Sequence, residues 1–277
     1  MSEVPEFELR NSASNHLDPI GEFRDLAAAG NLLLNLAWRD LTVRYKRSII
    51  GFFWTMLNPL LLMIIFTIVF SQVFKFAGVH HFEIYFLSEY LVFNFFMQTT
   101  TQSMASLQWN GMMMKRVRVP KTIFALSITL SGLVNLVLSY VPLFLLMLVR
   151  DMPIRPAVFF LPVAFVVIAM FTVGISWILS ALRVLFEDVV QMWGVGVLAI
   201  LYLTPIIYPI DIIPAKWLWI IRINPLTQLF KLARDPIYEG RLPDTHIILA
   251  SLAIGLATMI IGWLVHLRIS RDFHHYL

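Results

Sequence analysis

Six stretches of this chain run for more than twenty residues without a charged side chain: Ser48 to Phe74, Tyr90 to Met114, Thr122 to Val149, Pro156 to Leu182, Val189 to Ile210 and Thr245 to Leu267. Each exceeds the roughly 20 residues that a helix needs to cross a bilayer. The second carries the polar run Gln98 to Ser103, so its helix is expected to begin near Phe82 and to take in Glu83 and Glu89. The pattern predicts an all-α integral membrane protein with six transmembrane helices, at about 49–74, 82–108, 122–149, 156–182, 189–210 and 245–267.

Two further segments are apolar on one side only. Around Trp38, the residues Leu34, Leu41 and Tyr45 fall within about 60° on a helical wheel, while Arg39, Asp40, Lys46 and Arg47 occupy the opposite half. This is the pattern of an amphipathic helix lying in the membrane interface, over residues 22–48. Val43 and Leu36 fall on its polar side, which implies that another part of the protein covers that side. Asp40 and Arg44, four apart, are placed to pair. Between the fifth and sixth runs, residues 211–243 alternate Pro breaks with the apolar segments Trp217 to Ile221 and Leu226 to Ala233. Short re-entrant helices, or an interfacial anchor through Trp217 and Trp219, account for that alternation.

Composition agrees with membrane residence: 59% of the residues are hydrophobic and 14% charged. A soluble domain of this size does not hide so much apolar surface. Cys is absent, which excludes disulfides and thiolate metal sites. The net charge of +4 follows from where Lys and Arg sit and does not point to nucleic acid. If the N-terminus is cytoplasmic, the inner loops collect Arg39, Arg44, Lys46, Arg47, Lys115, Arg116, Arg118, Lys121, Arg183, Arg268 and Arg271. The short outer loops then hold Lys75, Arg150 and Arg155, which orients the chain with both termini inside the cytoplasmic membrane. The outer segment 211–243 is mixed in charge. Residues 1–21 are polar, read as a flexible cytoplasmic tail with no signal peptide, and 268–277 as a cytoplasmic C-terminus.

Ion-driven transporters usually bury Asp, Glu, Lys, Arg or His at mid-membrane. Five of the six runs have none there, and Glu89 is expected a turn or two from the outer face, so a primary energy source is favoured. The chain lacks a GxxxxGK[ST] loop, HExxH and GxSxG. No catalytic residue, metal site or cofactor is expected in it, and an ATP-driven reading places ATP and magnesium in a separate subunit. His80, His81 and Glu83 are the densest candidate for chemistry and are read as a solvated interfacial turn whose joint replacement is harmless. Were they catalytic, a membrane-embedded glycosyl- or acyltransferase would be the alternative.

Arg39-Asp40, Arg44 to Ser48, Gly51, Trp54 and Asn58-Pro59-Leu60 together form a recognisable entry signature. Asn94-Phe95-Phe96, Asn110, Lys115 to Pro120, Phe186-Glu187-Asp188, Thr204 to Pro209, Pro214, Trp217, Asn224-Pro225-Leu226 and Arg234 follow in order. From about Leu32 onward the chain resembles the type-2 ABC exporter permeases that handle surface polysaccharides and polyol phosphates, such as O-antigen, teichoic acid or galactan. The resemblance implies a homodimer forming one channel, two copies of a cytosolic ABC ATPase, and a glycan or polyol phosphate on polyprenyl diphosphate as substrate. Export of a drug or small lipid by the same architecture is the alternative. Two features depart from that pattern: Glu89 stands where a small or apolar residue is more common, and Arg116 to Pro120 is unusually basic.

The resemblance also implies roles. Arg39, Arg44, Arg47, Met113, Lys115, Arg116 and Arg118 are expected to couple to the ATPase, with plain positive-inside topology as the alternative for the loop from Trp109 to Lys121. Arg44, Lys46 and Arg47 are equally suited to a lipid diphosphate or to anionic lipid. Phe66, Phe70, Phe86, Tyr90, Phe93 and Met97 lie on two aromatic stripes, suited to lining a channel for sugar rings or to ordinary packing. Tyr208, Trp217, Arg222 and Arg234 are expected at an outer gate in contact with substrate.

Overall fold

The structure, a computed structural model, describes residues 19–46, 49–69, 80–117 and 119–270, with the side chains of Pro19, Tyr45, Phe52, Asp211 and Arg222 excepted. Residues 1–18 of the expected tail, Arg47, Phe70, Arg118, Arg271 and the last residues lie outside the described residues, as does the side chain of Arg222, while residues 19–21, expected in the tail, open a helix. Those described form α-helices joined by short turns and contain no strand. Three helical segments are long and apolar enough to cross a membrane: Ile123–Val149, Pro156–Leu185 and Thr245–Ile269. The protein is a multi-pass membrane protein.

At the N-terminus the expected single interfacial helix is two: α1, Pro19–Ala28, and α2, Gly30–Tyr45. A kink at Ala29 (φ −84°, ψ 17°) divides them, beside Gly30, whose helix propensity is the weakest after proline. Leu34 and Trp38 of α2 are exposed, as the wheel predicts, and Leu36 is buried with Leu107, Ile123, Phe124 and Ala181. The partner inferred for that side is therefore the bundle itself, although Val43 stays exposed. The expected Asp40–Arg44 pair does not form. Asp40 instead accepts hydrogen bonds from Arg39 (2.9 Å) and from Ser127 Oγ (3.3 Å), because α2 packs along the helix Ile123–Val149 and brings Ser127 within reach.

The first apolar run becomes a helix only at Trp54. Residues 51–53 form a 3-10 turn in which Gly51 holds φ +54°, a conformation open to glycine at little cost. Then α3, Trp54–Thr67, spans 14 residues. Next, α4, Phe82–Trp109, has 28 residues and is about 42 Å long. It is the central helix, buried along most of its length and packed by α3 and by four of the helices that follow it. The short α5, Gly111–Arg116, leads into α6, Ile123–Val149. A 3-10 turn at Pro156–Phe160 opens α7, Leu161–Leu185.

The fifth run is shorter than its hydropathy suggests. Its helix α8, Val189–Leu203, stops after 15 residues because Thr204 is extended ahead of Pro205, as the residue before proline prefers. After two 3-10 turns come α9, Leu218–Ile223, and α10, Pro225–Arg234. Asn224 caps α10 by accepting from the Leu226 amide at 3.0 Å, with Pro225 at the first helical position. A single π turn, Asp235–Glu239, ends at Gly240 with φ +65°. Finally α11, Thr245–Ile269, packs against α7 over the largest helix contact in the fold. Gly174 and Gly262 allow that approach, since a Cβ on either would overlap the backbone of the other helix.

Candidate functional sites at the two ends of the bundle

One end of the bundle carries Arg39, Arg44, Lys115, Arg116 and Lys121. Here α4 stops at Asn110, whose side chain donates to Ser106 O (2.8 Å) and accepts from Arg39 (3.0 Å). Helix α5 then projects Met112, Lys115 and Arg116 into the open, with Val117 beside them. Met113 and Met114 point the other way and pack on the cluster around Leu36 and Phe124. Within the expected apolar surface it is thus Met112, 78% exposed, that is free to touch a partner, and Met113 serves the interior. Arg39 remains partly exposed despite its bonds to Asp40 and Asn110. Arg44 turns inward, donating to Gln98 and Gln102 of α4.

The turn after α5 is tied to three helices. Trp177 of α7 donates to Thr122 O at 2.9 Å, Lys121 to Ser270 O at 2.6 Å, and Thr122 Oγ1 to Glu22 of α1 at 3.1 Å. Phe23 meets the Trp263 ring edge-on at 6.4 Å. Burial pushes the Glu22 carboxyl above its ordinary value, Asp25 adds to the rise, and the bonds and charge of Thr122 and Lys121 oppose it. Burial likewise lowers Lys121, against Glu22. An acid with a raised folded-state pKa supports docking fully below its ordinary pKa and loses that support as pH rises through the raised value. Proteolysis within α1 is therefore expected to quicken as pH rises from the carboxylate range toward neutrality, and Glu22→Gln to remove that dependence.

At the opposite end, α4 meets the segment after α8. Arg234 of α10 is buried and its Nη1 donates to Glu89 Oε1 and Tyr85 Oη, each at 3.0 Å. Its guanidinium also lies over the Tyr85 ring, 5.0 Å from the centroid. The Tyr85 hydroxyl faces the carbonyls of Pro205 and Tyr208 at 3.2 Å, and the Tyr208 hydroxyl donates to Tyr202 O at 2.6 Å. This network fastens the segment between α8 and α11 onto α4. Arg234, expected at the gate and in contact with substrate, is instead consumed by a carboxylate of its own chain. Trp217 is half exposed, beneath Lys216.

At the polar corner His80 and His81 are exposed on a turn, as expected, but Glu83 departs from that reading. Glu83 is buried and pairs with Arg150 at 2.7 Å, with His81 Nδ1 at 3.9 Å, while His80 O accepts from Tyr238 at 2.8 Å. The corner joins the ends of α4 and α6 and the π turn, so its joint replacement is no longer expected to be harmless.

The aromatic stripes face each other within one chain. Phe66 lies 4.9 Å from Phe86, which stacks on Tyr90 at 4.9 Å, and Tyr90 is 6.3 Å from Phe93. Phe86 and Phe93 are fully buried, Tyr90 nearly so, and Phe66 and Met97 pack at their margin. In this conformation Phe86 and Phe93 hold the interior together, and neither can touch a passing ligand unless the helices move.

Sequence reasoning overlooked Tyr85, although it stands one helical turn before Glu89 and so shares its face. It also placed Glu89 as an oddity without seeing its partner.

A family model described as ABC-2 type transporter matches residues 31–238. An O-antigen export system permease protein RfbA of Klebsiella pneumoniae is 30% identical over 213 residues, covering 76% of this chain and 82% of that protein. The protein of the same name from Myxococcus xanthus is 28% identical over 241 residues, 85% of this chain and 91% of the other. The capsule polysaccharide export inner-membrane protein CtrC of Neisseria meningitidis is 23% identical over 207 residues, 71% and 76% of the two chains. With three quarters of its length inside one family model, and basic loops set on a buried helical bundle as just described, the chain belongs to the ABC-2 type transporter family.

Proposed function

We propose that this chain is the transmembrane subunit of an ATP-driven exporter that moves a surface polysaccharide across the cytoplasmic membrane. The relatives named for O-antigen and capsule export support the substrate class, and a polyprenyl diphosphate carrier accords with it. Two copies form the transport path, each contributing six spans: α3, α4, α6, α7, α8 and α11. The segment from 211 to 243 dips into the outer leaflet. The basic end of the bundle faces the cytoplasm, as the positive-inside bias requires. ATP and its magnesium are bound by two copies of a partner ATPase, and this chain is a transport subunit, not an enzyme.

The observation that carries the reading is α5. It is a six-residue helix between two long ones, exposing Met112, Lys115 and Arg116, whose side chains have no hydrogen bond or ion pair among the described residues. An adaptable methionine ringed by cations suits a docking contact with an acidic cleft. Charge reversal by Lys115→Glu with Arg116→Glu is expected to abolish copurification of the ATPase while leaving the chain in the membrane. Stoichiometric ATPase in the purified double variant would overturn that contact. In cells, depletion of the chain is expected to strand lipid-linked glycan on the cytoplasmic leaflet.

A further inference from the structure

Two half-buried arginines, Arg44 and Arg183, donate to neutral amide oxygens, Arg183 to Gln108 Oε1 at 3.4 Å, and of the two Arg44 lines a crevice. Arg39, Arg150, Arg234 and Arg241 each pair with a carboxylate, at Asp40, Glu83, Glu89 and Asp244. Arg44 forms no ion pair among the described residues and is held by neutral amide oxygens, Gln98 Oε1 at 3.4 Å and Gln102 Oε1. Gln98 is itself oriented by donating to Asn94 Oδ1 at 3.0 Å. These partners are half-buried on α4. Gln98 and Gln102 stand 11 and 7 residues before the last residue of α4, Trp109, about 16 and 10 Å from its end. Among the described residues this half-buried cation meets amide dipoles and no carboxylate.

Beside the guanidinium opens a crevice of about 40 Å³ between α2, α3, α4 and α6. Arg44, Asn58, Asn94, Gln98, Asn135 and Ser139 line it, with Trp54 and Asn58 exposed at its rim. Amides and hydroxyls thus face one cation in a space otherwise walled by apolar helices. That space, as seen by water-sized groups, has room for a few oxygen atoms such as those of a phosphate. Gly132 keeps α6 close to α4 there, since a Cβ on it would lie 2.6 Å from Thr99 Oγ1.

We infer that this crevice binds the phosphate of a lipid headgroup, with Arg44 as the counter-ion and the neighbouring amides as hydrogen-bond donors. The inference rests on the membrane placement proposed above but not on the polysaccharide reading. A guanidinium meets phosphate oxygens through paired charge-assisted bonds, which an ammonium or an amide cannot reproduce. The lipid tails would remain in the bilayer beside the exposed Trp54. Two sources share this chemistry, a polyprenyl diphosphate carrier and an anionic phospholipid.

The test is native mass spectrometry of the full-length chain purified in detergent, titrated separately with polyprenyl diphosphate, phosphatidylglycerol and phosphate-free polyprenol. A phosphate-bearing lipid is expected to remain bound and polyprenol to be lost. Preference for the diphosphate identifies the carrier, preference for phosphatidylglycerol a bilayer lipid, and either supports the site. Arg44→Ala is expected to weaken retention about tenfold or more, and Arg44→Lys to restore part of it. Gln98→Leu, which leaves the cation in place, gives a second variant should Arg44→Ala aggregate, and it is expected to weaken retention severalfold. Wild-type retention by a monodisperse Arg44→Ala or Gln98→Leu, or polyprenol bound as tightly as the diphosphate, would overturn the inference. Failure of this binding test leaves glycan accumulation and ATPase copurification unaltered as separate readouts of function.

Discussion

Arg234→Ala is expected to destabilise the folded protein by about 3 to 5 kcal/mol, the usual cost of leaving one member of a buried ion pair without its partner. Glu89 is almost fully enclosed, its Oε2 has no hydrogen-bond partner among the described residues, and Arg234 is the cation that pairs with it directly. The Tyr85 hydroxyl would lose a donor as well. A lower unfolding temperature in detergent, read by fluorescence-detected size exclusion, measures the effect. The double replacement Glu89→Leu with Arg234→Met is expected to recover most of the loss, because an apolar pair of similar volume avoids burying charge altogether. If that protein is stable yet exports nothing, the pair acts in transport, as a clasp between α4 and the segment after α8. If the double variant is no more stable than Arg234→Ala, the electrostatic account is wrong.

The second large effect lies between α7 and α11. A Cβ on Gly262 would be 2.7 Å from the carbonyl carbon of Gly174 and would overlap its oxygen, and one on Gly174 would sit 2.7 Å from Met259 N. These are backbone atoms, so no rotamer change relieves the overlap. The helices must separate, and each loses dispersion contacts along the seam. Gly262→Val and Gly174→Val are each expected to cost at least about 3 kcal/mol, at the upper end of what overpacking does, and to leave little protein that is monodisperse after extraction. Gly194→Ala provides the control, since nothing lies within 4 Å of its added Cβ. Equal thermal stability of Gly262→Val and Gly194→Ala would falsify the close-packing argument.

Both effects turn on features that periodicity does not carry. Glycines in an apolar run look like any small residue until the facing helix is known. Glu89 reads as a departure because its cation is remote in the chain, on a helix whose own pattern suggests a surface. Tyr85 and Arg234 are 149 positions apart. Similarly, the wheel sorted Leu34 and Trp38 of α2 from its buried side, but it could not tell that Arg44 would look inward to Gln98 while Lys115 and Arg116 would look out. Met113 and Met112 are adjacent, and their exchange of roles follows from where α5 leaves α4. The aromatic stripes were legible as stripes, whereas their burial against each other followed from α4 being the central helix.

Hydropathy, proline positions and the placement of Lys and Arg are local properties, and through them the amino-acid sequence by itself determined that this is a helical, multi-pass membrane protein with a basic end and an interrupted segment before its last helix. Its ordered motifs pointed further, to the transporter family. Tertiary structure alone decided which charges are neutralised within the chain, which cation is left facing a crevice, and which aromatic faces are used up in packing. The reason is physical: in a bundle without bulk water, a polar group's role depends on the partner that another helix brings to it, and that partner is set by packing, not by spacing along the chain.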